Sequence, residues 1–484
     1  MKKFIHLIGG LGAGLAIILM VLAWQLSSGP VSLSLLTPYL EKVVNSKQRA
    51  VKLVMDDTIL TWAGWDRALD LRLIGVKVLQ RDGALIGSVP AVSFSLSGKG
   101  LINGLFAPQS IELFRPRLKI IRNQNSVGIG FTNTNKETKK LTHLLLDQLL
   151  AEPDLNNPMS YLTKLEIINA EVTLQDKLSG KSWIARPTNV LLKRDKIGII
   201  GDIRLALTID GRNTDVTTSI SYQSSVRRID LMTKFSDVSP AVISSMFYEV
   251  ETLQAIALPV QGVFSAGLSL DGVLETASFN LTGGSGKIIL PGKFTQSLSV
   301  DGLNLKGRYV GIGKVLDIDE FFLDLGPNGS VIIPSKDNHR IPLSTIRSKG
   351  RYLGNIKRLD INVMEFDLHG PTATLDLVIK DFPDLAEIGN KSISMDIKGS
   401  LNDLPVNKLA LYWPSFINED SRRWAIENVT EGIIHQIRAD GLIQSDGEVV
   451  RVLSIDGDIE LSGASVQFLS SMPVVKETRA YIKF

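Results

Sequence analysis

The side chains best suited to chemistry are sparse and poorly spaced for it. Five histidines, His6, His143, His339, His369 and His435, are scattered over 484 residues. None stands in an HExxH pattern or at a spacing from a carboxylate that suggests zinc. The absence of cysteine excludes disulfides, thiolate metal sites and Cys nucleophiles. Gly180-Lys181-Ser182 has the closing letters of a phosphate loop. No glycine precedes it at the required spacing, and no Val- or Leu-rich helix follows. Strand carboxylates such as Asp202 and Asp376 read as members of a solvated face. The expectation is a chain that is not an enzyme, with no catalytic residue, no metal ligand and no cofactor.

What remains is apolar chemistry at period two. In the stretch from Asp202 to Asp210, Ile203, Leu205, Leu207 and Ile209 share one face. Ala373, Leu375, Leu377 and Ile379 repeat the pattern, as do Ile393, Met395 and Ile397. Val92, Phe94 and Leu96 alternate with Ser93, Ser95 and Ser97. This is the signature of antiparallel strands with one apolar and one wet face. Such a face can be the interior of an ordinary β-sandwich. It can also line an open, curved sheet whose groove takes lipid tails. Both produce the same alternation. For the second use the groove-facing candidates are Ile203, Leu205, Leu207 and Ile209, then Leu375, Leu377 and Ile379.

Several elements would have to position these faces. Asp82-Gly83, Asp210-Gly211, Asp271-Gly272, Asp301-Gly302, Asp446-Gly447 and Asp456-Gly457 are tight-hairpin signals. A meander on the order of 25 strands follows from that spacing. Helical patterns are few: Leu33 to Asn45, limited by Pro38; Lys140 to Leu150; Ser239 to Thr252; and Glu419 to Val429. A faint repeat joins a strand from Ile229 to Phe235, followed by Ser236 to Pro240, with a strand from Ile393 to Ile397, followed by Leu401 to Pro405. In both, an Asp- and Pro-marked segment leads into a helix.

The N-terminus carries the clearest single signal. Lys2 and Lys3 precede an uncharged, apolar run from Phe4 to Leu26. At ~1.5 Å per residue, ~20 such residues cross a bilayer core. The lysines should stay cytoplasmic, and Trp24 suits the far interface. The run is long for a cleaved signal peptide and lacks a small-x-small exit. Its glycines, Gly9 to Gly14, either let a second transmembrane helix approach or are incidental. The 53 Lys and Arg against 50 Asp and Glu leave +3, with no basic tract, so no nucleic-acid partner is expected.

Three stretches make the chain resemble the AsmA-like envelope proteins, particularly the YhdP type, with TamB more distant. The first is the anchor with Pro38-Tyr39-Leu40 and Asn45. The second runs from Leu69 to Arg122, including Gly75-Val76, Pro90 and Ile111 to Leu118. The third, Leu404 to Gly441, holds Tyr412-Trp413-Pro414, Arg422-Arg423-Trp424, Glu427-Asn428-Val429 and Gly432. This last segment is read as a helical connector packed on the sheet or as a direct lipid contact. The resemblance implies an elongated, twisted, mainly β chain with an open apolar groove, one transmembrane helix and a few short helices. Residues 1–27 would be the anchor and cytoplasmic start, 28–250 an AsmA-like β region and 251–484 its continuation. YhdP-type proteins continue well beyond the point matching Phe484, so the expectation is either a fragment or a shortened gene product. The resemblance also implies an inner-membrane protein, its bulk periplasmic, that moves phospholipid between inner and outer membranes. Expected partners are phospholipid, the inner membrane and an outer-membrane or periplasmic protein. The alternative is a periplasmic scaffold for outer-membrane protein assembly without lipid conduction.

Overall fold

The computed structural model describes residues 29–47, 51–61, 70–130, 154–246 and 253–484, apart from short stretches at 81–82, 84, 106, 124–125, 155, 178–179, 181, 210–211, 291–295, 334–337, 383–391, 416, 446–448 and 470, with 20–21 and 24–25 besides. The expected anchor therefore lies almost wholly outside the described residues, as does the expected helix over 140–150. No helix among the described residues is long and apolar enough to cross a membrane. The chain is mainly β, with long, mostly antiparallel sheet and few short helices, and it divides into two compact units, Met1–Leu231 and Met232–Phe484.

The first unit contains β1 (Val31–Ser32), β2 (Val51–Val54), β3 (Asp57–Thr61), β4 (Asp70–Gln80), β5 (Leu85–Leu96) and β6 (Pro108–Phe114). Next come β7 (Arg117–Asn123), β8 (Ser126–Gly130), β9 (Lys164–Asp176), β10 (Ser182–Arg194), β11 (Gly198–Ile209) and β12 (Arg212–Gln223). Its α-helices among the described residues are α1 (Thr37–Lys47) and α2 (Gly98–Ile102). Pro38 falls in the first turn of α1, where its missing N–H has no intrahelical partner to lose. Asn45 treats β2 as a strand would. Its Nδ2 donates to the Leu53 carbonyl (2.8 Å) and its Oδ1 accepts from the Leu53 N–H (2.7 Å). Glu41 accepts from the Met55 N–H (2.7 Å) and the Thr37 hydroxyl meets that of Thr58 (3.0 Å).

A purely antiparallel meander is corrected at β9. It runs parallel to β6, pairing Ser110 with Lys164 and Phe114 with Ile168, and then parallel to β7, pairing Arg117 with Glu171. The chain over 131–163 is long enough to return to the starting end of β6, which a hairpin cannot do.

β13 (Arg228–Val238) crosses the division between units and leads into α3 (Pro240–Met246). The second unit continues with β14 (Ile256–Ala257), β15 (Val260–Ser269), β16 (Leu274–Gly283), β17 (Gly286–Leu290), β18 (Gln296–Val300), β19 (Gly302–Val310), β20 (Val315–Asp324), β21 (Ser330–Ile333) and β22 (His339–Pro342). After these come β23 (Thr345–Leu353), β24 (Arg358–Asp367), β25 (Thr372–Ile379), β26 (Ile393–Pro405), α4 (Leu409–Tyr412) and α5 (Glu419–Asn428). The unit closes with β27 (Val429–Thr430), β28 (Ile433–Ser445), β29 (Val450–Val466) and β30 (Val475–Lys483). Eleven strands, β15, β16, β19, β20, β23 to β26 and β28 to β30, pair antiparallel in that order. At ~4.8 Å per strand the row extends on the order of 50 Å.

The insertions between these strands gather at one margin. β17 with β18, β21 with β22, and α4 with α5 fill the connections at Gly283, Asp324 and Pro405. They build the second unit's two cores. One holds Leu258, Val300, Leu303, Leu323, Leu343 and Leu368, and the other Leu404, Leu409, Ile434 and Leu461. At the other margin, β15 to β16, β19 to β20 and β23 to β24 are joined by turns of four residues. Asp271-Gly272 makes one of these, with Gly272 at φ +78. Asp456-Gly457 does not turn at all: it lies inside β29. A Cβ on Gly457 would sit 2.4 Å from the Phe484 ring, so the glycine makes room for an aromatic instead.

Candidate functional site: the apolar faces of the sheets

Register partners in a sheet share a face. In the second unit one direct row runs Val260, Gly283, Leu303, Leu323, Ile346, Phe366, Ala373, Leu401, Ile437, Ile459 and Ile482. Every member is apolar or glycine. A second row passes through Phe279, Ile318, Ile361, Leu377, Ile397 and Ile455. A third passes through Tyr309, Leu316, Tyr352, Leu359, Ile379, Met395 and Ile443. Leu375, Leu377 and Ile379 thus belong to one continuous apolar face, as their alternation requires.

The rows differ in cover. Val260, Leu303 and Leu323 of the first are buried by the insertions gathered at that margin. Leu377, Ile361, Ile397 and Ile455 are half-buried, as are Leu316, Leu359 and Met395. Ile379 is the one large side chain of the last two rows that is buried, at 5% exposure. Tyr352 meets Phe382 edge-on beside it (5.8 Å).

The opposite face carries charge in register. Arg308, Asp317, Arg351 and Asp360 follow one another across four strands. Arg351 Nε donates to Asp317 at 2.5 Å and Arg308 Nε at 3.3 Å. The hydrogen bond from Arg351 does most to hold the Asp317 carboxyl below the usual range; desolvation pushes the other way, and the bond from Arg308 adds to the lowering. Farther along, Arg438 pairs with Asp458 (2.9 Å) and Lys398 lies 3.9 Å from Asp440. Arg347 sits over the Phe322 ring at 4.9 Å. Alternating signs at adjacent strands stabilise the register modestly and keep this face wet.

The first unit carries its own apolar row: Leu73, Val92, Leu113, Ile167, Val190 and Ile203. These are half-buried, as are Leu205 and Leu207. Leu205 pairs with Thr188 and Val216, and Leu207 with Ala185 and Thr214. The backbone of Ile209 closes β11, while its side chain lies outside the described residues. Over β4 to β6 the polar side is the covered one, whereas Asp202 and Arg204 on β11 are exposed. Ser93 is 0% and Ser95 2% exposed. Ser93 Oγ donates to Asp70 Oδ2 (2.5 Å), Thr61 reaches the same oxygen (3.3 Å), and the Ser95 and Ser110 hydroxyls share a bond (2.7 Å). Lys164 bridges Glu112 (3.1 Å) and Glu166 (2.5 Å). Burial alone would lower the Lys164 pKa, but bonds to Glu166 and Glu112 together raise it. Asp70 Oδ1 and Arg72 Nε are buried without a hydrogen-bond partner. The serine alternation gave no sign of this burial.

The side chains first considered for catalysis do structural work. His339 Nε2 bonds the Leu411 carbonyl (2.9 Å), His369 Nε2 the Gly329 carbonyl (3.3 Å) and His435 Nε2 the Ser462 hydroxyl (2.6 Å). His6, His143 and Lys181 lie outside the described residues. Gly180 turns from β9 to β10 at φ +70. No group of three His, Asp or Glu side chains among the described residues is placed to hold a metal. The Tyr412-Trp413-Pro414 segment packs on the second core as a connector. Tyr412 OH donates to the Leu368 carbonyl (2.6 Å), Trp413 Nε1 to Ile417 (2.7 Å), and Arg422 Nε to the Trp413 carbonyl (2.7 Å). Comparison with protein-family models, with curated proteins and with solved structures finds no match.

Proposed function

We propose that this chain is an anchored envelope protein that shields lipid acyl chains along the apolar faces of its sheets. It would support phospholipid movement between inner and outer membranes, with the N-terminal run held in the inner membrane and the bulk in the periplasm. One observation carries the reading: the second and third apolar rows of the second unit cross ten strands, with most of their large aliphatic side chains half-buried. A sandwich core of this composition would be buried throughout. The resemblance to YhdP-type proteins supports the same function.

The physics is simple. Each exposed CH₂ costs ~0.8 kcal/mol, so a sixteen-carbon tail in water faces ~13 kcal/mol. A tail lying across rows of Ile, Leu and Met keeps most of that contact apolar. Successive strands repeat the same rows, so neighbouring positions are nearly equivalent and sliding is shallow. Direction would come from a concentration difference or a partner, since a passive face supplies none.

The test is mass spectrometry of lipid co-purified with the full chain, extracted without lipid-like detergent. Phospholipid at several copies per chain, reduced by Leu377→Asp or Leu207→Asp in variants that keep their β circular dichroism, supports the shield. A folded chain carrying no lipid overturns it and favours the scaffold for outer-membrane protein assembly.

A further inference from the structure

Hairpin tips usually end in polar residues, because turns are solvated. Four tips here depart from that in the same way. In the first unit Ile197, 68% exposed, follows Lys196, and Val226, 61% exposed, precedes Arg227. The two tips touch: the Ser224 N–H and hydroxyl both donate to the Ile197 carbonyl (3.1 and 2.8 Å). In the second unit Gly311-Ile312-Gly313-Lys314 and Gly354-Asn355-Ile356-Lys357 repeat the arrangement, with Ile312 at 91% and Ile356 at 61% exposure. The Gly354 N–H donates to the Lys314 carbonyl (2.9 Å), so these tips also sit side by side.

Backbone geometry adds a second observation. Arg227, Lys314 and Lys357 all lie in the left-handed region, at φ 53, 50 and 48. Gly, Asn or Asp ordinarily fill such positions, and a long cation there is uncommon. Three cations thus stand beside three exposed aliphatics, each cation at a left-handed position.

We infer that each touching pair of tips, taken within its own unit, seats on a phospholipid bilayer surface. The aliphatic side chains would enter the boundary between headgroups and acyl chains, while Lys196, Arg227, Lys314 and Lys357 would extend to lipid phosphates. Acidic neighbours temper the charge. Asp195 is engaged by the Ile197 and Gly198 N–H groups, and Asp271, Glu275 and Asp381 flank the second pair. Contact therefore depends more on insertion than on anionic lipid. This inference stands on the tips and does not require lipid on the apolar face.

The chain has no cysteine, so a single one can be labelled cleanly. The full chain, held by its own anchor in nanodiscs, would carry an environment-sensitive fluorophore at Ile312→Cys or, as a wet-face control, at Lys306→Cys. Vesicles of phosphatidylethanolamine and phosphatidylglycerol would then be added. A blue shift at 312, quenched by acyl-brominated lipid and absent at 306, is expected. Ile356→Asp should weaken it about tenfold in vesicle concentration without reducing co-purified lipid. No shift at 312 in a folded chain overturns the inference. If lipid still co-purifies in that case, the shielding function stands alone. A shift at 312 in a chain that carries no lipid leaves the tips standing and removes the shielding function.

Discussion

The polar faces of the two units arise from the same alternation and end in different surroundings. In the second unit Arg308, Asp317, Arg351 and Asp360 form a register-matched ladder in which both arginines are exposed. In the first, Asp70, Ser93, Ser95, Ser110 and Glu112 are buried and bonded to one another or to Lys164. Meanwhile Leu73, Val92 and Ile167 of the first unit and Leu377, Ile397 and Ile455 of the second remain half-buried. Alternation thus assigns side chains to faces. It does not say which face is covered.

The largest effect should separate covered from open apolar positions. Leu404 is fully buried in a core, so Leu404→Ala should cost about 2–5 kcal/mol in denaturant melts. Leu377→Ala, on the half-buried row, should cost less than about 1.5 kcal/mol. Equal losses would mean that the second row is as closed as the core, and the contrast between them would vanish.

The polar faces should differ next. Asp70→Ala strips an acceptor from Ser93 and Thr61 inside the first unit and should cost about 1–3 kcal/mol. Asp396→Ala, which removes an exposed partner of Lys380 in the second unit, should change stability by about 0.5 kcal/mol or less. Chemical unfolding of both variants tests the comparison, and a tolerant Asp70 would break it.

The smallest effect is in pH. Asp317 has a folded-state pKa lowered first by Arg351, then by Arg308. Its contribution is therefore present above the ordinary carboxylate value and is lost as pH falls through the lowered one. Acid titration of stability should show a shallow limb there that Asp317→Asn removes. High salt should flatten it, because the ladder's arginines are exposed. A limb unchanged in the variant would assign the acid sensitivity elsewhere.

Much of the architecture was legible at the level of single segments. The Asp-marked units at Ser236 to Pro240 and Leu401 to Pro405 do lead from strand to helix. In both, the Asp is left-handed (Asp237 φ 52, Asp403 φ 56) and the next residue, Val238 or Leu404, is buried. Asn418, whose side chain accepts from the Ser421 N–H, starts α5 where the helical pattern begins. Ile203, Leu205 and Leu207 do share a face, as do Leu375, Leu377 and Ile379. The parallel docking of β9 on β6 and β7 left no local trace, because its partners lie about fifty residues away. Nor did Asp456-Gly457, which pairs with Asp440 and Ala439 of β28 instead of turning.

By itself the sequence determined the strand period, the apolar identity of each face and the start of several helices, because these follow from neighbours a few residues apart. Only the tertiary structure decided that insertions gather at one margin and bury Val260, Leu303 and Leu323 of the first row while leaving most of the next two partly open. Only it decided that serines and carboxylates of the first unit lie under cover, and that four aliphatic tips project beside cations. Cover and exposure are set by segments distant in the chain, and no local pattern encodes which of two faces a distant segment will meet.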